Sequence, residues 1–170
     1  IEDATGALSR LVEKGKAKSI GFSEIAPSSL RRASAVHPIA AVQSEYSLST
    51  RFPDLGLVQT CAELGTTLVA FSPVGRGLLT DSPHGADAVV SIPFLKTNPR
   101  FIEPNLSANI ATSAGFRTLA AEMGTSAAAL AIAWLLTRGK HVLPIPGTRS
   151  VSHLKELAAG MTLGLSDADL

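Results

Sequence analysis

One cysteine, Cys61, is present in 170 residues, so no internal disulfide framework can hold the chain. That usage fits a reducing compartment, and a cytoplasmic location is expected. Aromatic side chains are scarce at 5%, with a single Trp and a single Tyr. The histidines (His37, His84, His141 and His153) show no metal-ligand spacing such as H-x-x-x-H, so no metal site is expected. Neither sign of charge dominates: 15 Lys and Arg face 14 Asp and Glu, for a net of +1. The charges are scattered, with no basic stripe for nucleic acid and no polybasic segment for a membrane surface. No apolar run approaches the ~20 residues of a membrane helix, and no signal peptide is visible. Nucleic-acid and membrane partners are therefore not expected.

What remains is 45% hydrophobic and rich in Gly, Ala and Leu, the balance of a packed α/β chain. The length suits one domain of typical size. Both ends suggest a piece of a longer protein. The chain starts at Ile1, and it stops just after Ser166-Asp167-Ala168-Asp169, a helix start with Ser166 as N-cap and Asp169 at N3.

Apolar periodicity alternates between helix and strand. Leu8, Leu11 and Val12 share a helical face closed by Gly15, and a strand follows over Ala17–Phe22. Pro27 opens a second helix with Leu30, Ala33 and Val36 inward, before a strand over Ile39–Gln43. A third helix carries Leu57, Val58, Cys61 and Leu64, and Gly65 ends it. Thr66–Phe71 is nearly all apolar, which predicts a strand buried on both faces. Ser72 to about Ala111 reads as a long irregular stretch, either a functional lid or binding loop or else disordered. Helices over Ala114–Met123 and Ser126–Arg138, a strand from Val142 and a helix over Val151–Met161 complete the order. Such alternation means a parallel sheet with crossover helices. Four strands cannot close a barrel, which needs about eight. The chain is thus either an open doubly wound sheet or half of a barrel.

Polar residues gather where strands end. Ser23 and Glu24 follow the first, Gln43 and Glu45 the second, Ser72 and Arg76 the third, Thr148 and Arg149 the fourth. In a parallel barrel those ends form the ligand-binding face. The last junction, Val142 to Ser150, runs from an apolar strand through a Pro/Gly turn into a helix start. Free N–H groups and the helix dipole make such a junction a ready anion site. Arg149 there sits against the dipole unless an anion compensates it.

Four segments occur in order: Gly21-Phe22-Ser23-Glu24, Val42-Gln43-Ser44-Glu45-Tyr46-Ser47-Leu48, Phe71-Ser72-Pro73-Val74-Gly75-Arg76-Gly77-Leu78-Leu79 and Pro144-Ile145-Pro146-Gly147-Thr148. Together they resemble successive signatures of the aldo-keto reductases, nearest to the branch with pyridoxal-reductase-like and auxin-induced-type members. The resemblance covers nearly the whole chain. It implies an α/β fold in which residues 1–170 form a single partial domain: the C-terminal half, strands five to eight with their helices, of a (β/α)8 TIM barrel whose N-terminal half is absent. It implies NADPH/NADP+ as cofactor, and a small carbonyl compound, an aldehyde or ketone reduced to an alcohol, as substrate.

The resemblance also assigns cofactor contacts. Ser23 and Gln43 match the positions that hydrogen-bond the nicotinamide carboxamide. Phe71 matches the aromatic that stacks on the ring, where the family usually has Tyr. Ser72, Pro73, Val74, Gly75, Arg76, Gly77, Leu78 and Thr80 match the loop over the pyrophosphate. Ile145 and Pro146 lead into Gly147, Thr148 and Arg149, which match the adenosine 2′-phosphate site. His153, Glu156 and Leu157 fall at the adenine end, with Leu157 in place of a usual Asn and His153 in place of a usual Arg. The family's catalytic Asp, Tyr, Lys and His have no matching positions here, so the isolated chain is expected to be inactive. Two other readings are carried: a non-catalytic NADPH-binding sensor on the same scaffold, and a different barrel enzyme holding a sugar phosphate at Pro144–Ser150.

The remaining chemistry-bearing residues have plainer readings. Tyr46, Cys61 and Trp134 are expected to be structural, and Arg31 and Arg32 a solvated helix edge. Glu24 either lies near the carboxamide or faces a helix start. Asn98-Pro99-Arg100-Phe101 is either a turn or a substrate-side closure.

Overall fold

The computed structural model describes all residues, Ile1–Leu170. The helices are α1 (Glu2–Glu13), α2 (Pro27–Val36), α3 (Leu57–Leu64), α4 (Ala86–Val90), α5 (Asn105–Thr112), α6 (Ala114–Glu122), α7 (Ala127–Thr137) and α8 (Val151–Ala159). The strands are β1 (Gly21–Ser23), β2 (Ala41–Glu45), β3 (Thr67–Phe71) and β4 (Val142–Pro144). All pair in parallel, in the order β1-β2-β3-β4. The fold is α/β, half of a (β/α)8 barrel. No single helix is long and apolar enough to cross a membrane.

The chain divides into two compact units: Ile1–Pro73 with Leu135–Gly147, and Val74–Trp134 with Thr148–Leu170. The first holds the whole sheet. Register is Phe22 with Val42, Val42 with Leu68 and Leu68 with Val142, which puts these residues on one face. That face is the covered one. Val42, Leu68 and Val142 are buried, as are Leu30 and Ala33 of α2 and Val58 and Cys61 of α3. Each large side chain so buried contributes about 1.5–3 kcal/mol. Gly21 permits the close approach of β1 to β2, because a Cβ there would lie 2.6 Å from the Ala41 carbonyl oxygen.

Four expectations from the sequence are corrected, beginning with Val36 of α2, which is exposed rather than inward. The first two strands start later than Ala17 and Ile39. The Lys16–Ser19 segment is polar and forms no ladder, and pairing begins only at Gly21 and Ala41. Strand β3 is not buried on both faces: Leu68 and Ala70 are, while Thr67, Val69 and Phe71 are half-buried. Finally, the Ser72–Ala111 stretch is not irregular. Helices α4 and α5 and two 3-10 turns, Gly75–Gly77 and Pro99–Phe101, order it. They surround their own core of Leu78, Val89, Leu95, Phe101 and Leu106.

In the second unit α7 is buried from Ala127 to Trp134, as a helix apolar on all sides must be. Leu157 of α8 packs with Ala128 and Ile132 of α7, and Val74 joins them. Gly160 allows this approach, since a Cβ would meet the Ala129 carbonyl at 2.5 Å and Ile132 at 2.8 Å. Ser166 and Asp169 pair at the expected cap, with the Ser166 N–H and hydroxyl both donating to Asp169 Oδ2. Only a 3-10 turn, Asp167–Asp169, follows.

Candidate functional site

In the first unit, register assembles one row of candidates. Ser23 pairs with Gln43, Gln43 with Val69 and Val69 with Leu143, and Glu45 pairs with Phe71. These residues point away from the covered face. Ser23, Gln43 and Leu143 are exposed, and Phe71 is half-buried. A hydroxyl, a carboxamide and an aromatic ring thus share one face at the carboxyl ends of three parallel strands. That set can hydrogen-bond an amide and cover a flat ring.

Backbone strain marks the same edge. The three non-glycine residues with left-handed φ are Glu24 (51°), Ser72 (51°) and Arg76 (56°). The first two directly follow β1 and β3. Such conformations persist where the surroundings over-determine them. At Glu24 the surroundings are visible: its N–H donates to the Gln43 carbonyl at 2.9 Å, and its Oε1 accepts the Glu45 N–H at 2.8 Å. Glu24 therefore ties the ends of β1 and β2 together, a role neither sequence reading gave it, because it depends on strand register. The Thr50 hydroxyl donates to Glu45 Oε1 at 3.3 Å.

Behind this edge lies a polar cluster. Tyr46 is fully buried, its hydroxyl donates to Asp54, and it accepts from Arg138 Nε at 3.1 Å. Arg51 also pairs with Asp54. Burial, reinforced by Asp54, pushes the Tyr46 phenol up to about 12. Burial alone would raise Asp54, but the hydrogen bonds from Tyr46 and Arg51 and the nearby Arg51 and Arg138 charges win and hold it below the usual carboxylate value. The Tyr46 N–H donates to the Phe71 carbonyl at 3.3 Å, so the cluster also anchors the end of β3. Tyr46 is structural, as the family resemblance implies.

The second unit holds the rest. Gly75 (60°), Arg76 and Gly77 (100°) give three successive left-handed residues. The turn is closed internally: the Gly77 N–H donates to the Val74 carbonyl at 3.1 Å and the Leu78 N–H to the Gly75 carbonyl at 3.2 Å. Pro73, Gly75 and Leu78 are buried, while Val74, Arg76 and Gly77 are half-buried. The Thr80 hydroxyl donates to the Gly77 carbonyl at 2.8 Å. At the start of α8, Ser150 is the N-cap, accepting the His153 N–H at 3.4 Å, and the Ser150 N–H donates to Thr148 Oγ1 at 3.1 Å. Thr148, Arg149 and His153 are exposed, and Glu156 is half-buried. Leu157 stands apart from the reading as a cofactor contact: its side chain is buried in the α7–α8 packing, which places Val74 and α8 side by side. In the first unit, Ile145 continues the β4 ladder through its N–H to the Ala70 carbonyl at 3.0 Å, with Pro146 and Gly147 after it.

Other candidate residues have local partners or are buried. Asn98 caps the Pro99–Phe101 turn by accepting the Arg100 N–H at 3.1 Å, and Phe101 is buried, so that segment is a turn. Cys61 is buried, which pushes its thiol up to about 11, a range unsuited to a nucleophile. No group of three or more metal-ligating side chains occurs.

A family model described as the aldo/keto reductase family matches residues 1–170. The chain belongs to the aldo/keto reductase family. It is 42% identical over 173 residues to the protein named probable aldo-keto reductase 1 of Glycine max, covering 100% of this chain and 49% of that protein. It is 37% identical over 171 residues to an NADP(+) aldo-keto reductase of Schizosaccharomyces pombe, covering 99% of this chain and 50% of that one. A solved glycerol dehydrogenase from Gluconobacter oxydans superposes with a TM-score of 0.81 at 24% identity, covering 99% of this chain and 51% of that one. A thermostable aldo-keto reductase solved with the inhibitor epalrestat gives a TM-score of 0.73 at 26% identity, with 99% and 52% covered. The aldo/keto reductase chain described here thus spans about half the length of the relatives it matches.

Sequence spacing gives no sign of one further link in this aldo/keto reductase chain. Asp81 Oδ1 accepts the Ala127 N–H at the start of α7 at 3.0 Å, from 46 positions away. Only the folded chain brings the two together.

Proposed function

We propose that this chain supplies the cofactor-binding half of an NADP-dependent aldo-keto reductase that converts aldehydes or ketones to alcohols. The observation that carries the proposal is the in-register pair Ser23 and Gln43 beside Phe71, at the carboxyl edge of a parallel sheet. The NADP(+) in the name of the Schizosaccharomyces pombe relative favours the same cofactor.

The residues fit the parts of such a cofactor. Ser23 and Gln43 are uncharged and exposed, suited to hold a carboxamide and so to fix which face of the ring is presented. Phe71 offers a ring face. The glycines of the Gly75–Gly77 run let backbone approach a pyrophosphate, and the Arg76 cation suits its charge. Thr148 and Arg149, ahead of the first turn of α8, suit the ribose 2′-phosphate. Ile145, Pro146 and Gly147 precede that pair in sequence, and His153 and Glu156 of α8 are the residues proposed for the adenine end. When bound, the dinucleotide supplies a hydride to the carbonyl carbon. The matching proton needs an acid, and no position here matches the family's catalytic Asp, Tyr, Lys and His. The remaining half of the barrel is proposed to provide them. A reducing, cytoplasmic setting belongs to the same proposal.

Arg149 tests it. Arg149→Ala is expected to weaken NADPH by about 1–3 kcal/mol, the scale of a lost charged hydrogen bond, and to leave NADH nearly unchanged. Fluorescence titration with both cofactors decides this. Equal losses for the two would remove the 2′-phosphate assignment. Aldehyde-dependent NADPH oxidation by this chain alone would contradict the expected inactivity.

A further inference from the structure

Two residues outside the assigned loop pack on it, and a third, Asp81, ties the segment that follows it to α7. The Phe94 ring lies under the Arg76 guanidinium, with the ring centroid 5.8 Å from Cζ. The His84 ring lies against Gly77, so close that a Cβ there would stand 3.0 Å from His84 Cδ2. Asp81, next after Thr80, is fixed by the first N–H of α7 at 3.0 Å. The segment that carries these groups is itself anchored: Val89 and Leu95 bury with Leu78, which directly follows the loop. Left-handed backbone at a non-glycine such as Arg76 needs outside support. A cation over a ring face is one such support, and a ring packed on a glycine is another.

We infer that Asp81–Phe94 is a brace that sets the geometry of the Gly75–Gly77 loop, with Phe94 and His84 as positioning residues for a ligand's pyrophosphate and Asp81 as the anchor of the brace on α7. The brace rests on the reading of that loop as the pyrophosphate site. It acts on a group common to NADPH and NADH, so it governs affinity without governing the choice between them. Arg149 governs the choice. The two contributions separate in one assay.

Phe94→Leu keeps apolar bulk and removes the ring face. NADPH and NADH affinities are both expected to fall about fivefold, with their ratio and the melting temperature unchanged. Phe94→Tyr keeps the ring and its face and is expected to restore both affinities. Wild-type affinity in Phe94→Leu, or a change in the NADPH-to-NADH ratio, overturns the brace. If the wild-type protein binds neither cofactor, the functional proposal fails, and amide exchange at Gly75–Gly77 decides the brace by itself. Faster exchange in Phe94→Leu than in Phe94→Tyr supports it, and equal exchange overturns it.

Discussion

Ser23 and Gln43 stand together because β1 and β2 are in register, and a sheet offers few other arrangements. Arg76 stands where it does through left-handed backbone and side chains that reach in from a later segment. The first arrangement is a property of the ladder, which a point substitution on the open face does not alter. The second depends on individual contacts with their own small core. Candidates held by register are therefore expected to be robust, and candidates held by braces tunable.

The largest expected effect breaks or confirms that distinction. Phe101→Ala removes a buried ring from the Leu78–Leu106 core and is expected to cost about 3–5 kcal/mol. Amide exchange should rise across residues 78–110, with Val42 and Leu68 still protected. Loss of protection everywhere would mean that the two regions unfold as one.

A smaller effect sharpens the sheet side. Tyr46→Phe deletes the hydroxyl between Asp54 and Arg138 and is expected to cost about 1–3 kcal/mol in urea unfolding. Its pH dependence has two arms. The Tyr46 phenol is raised in the fold from 10.0 to about 12, so the fold binds its proton more tightly than the unfolded chain. That stability is complete below pH 10 and disappears as pH rises toward 12. Asp54 is lowered, so its contribution is complete above the ordinary aspartate value of 3.8 and is lost as pH falls below it. Tyr46→Phe should abolish the alkaline arm and flatten the acid one.

The smallest effect is a control. Arg32 pairs with Glu2 at 2.6 Å and holds its carboxyl down to about 2, yet both groups are well exposed. Glu2→Gln is expected to leave the melting temperature unchanged, because solvent screens such pairs.

The alternation of helix and strand was readable from periodicity, and Pro27, Gly15 and Gly65 mark helix ends where the structure has them. Strand starts were not, because a parallel ladder begins where a neighbour offers a partner, not where apolar residues begin. Segment 72–111 was opaque for another reason. Its elements are five to eight residues or single turns, too short for a period to register, and its core residues are irregularly spaced. At the candidate site, Ser23, Gln43 and Phe71 were legible as residues at strand ends. The Glu24 tie, the Asp81 link and the burial of Leu157 each depend on tertiary neighbours, and no local pattern encodes those.

Cys61 and Trp134 each occur once, and each is buried in a different one of the two compact units. The molecule thus carries a chemical clock in one and an optical reporter in the other. A thiol reagent reaches Cys61 only when α3 lifts from the sheet, while indole fluorescence follows the surroundings of α7. Timing both signals in the native protein, with no label added, would reveal whether the halves breathe together or in turn.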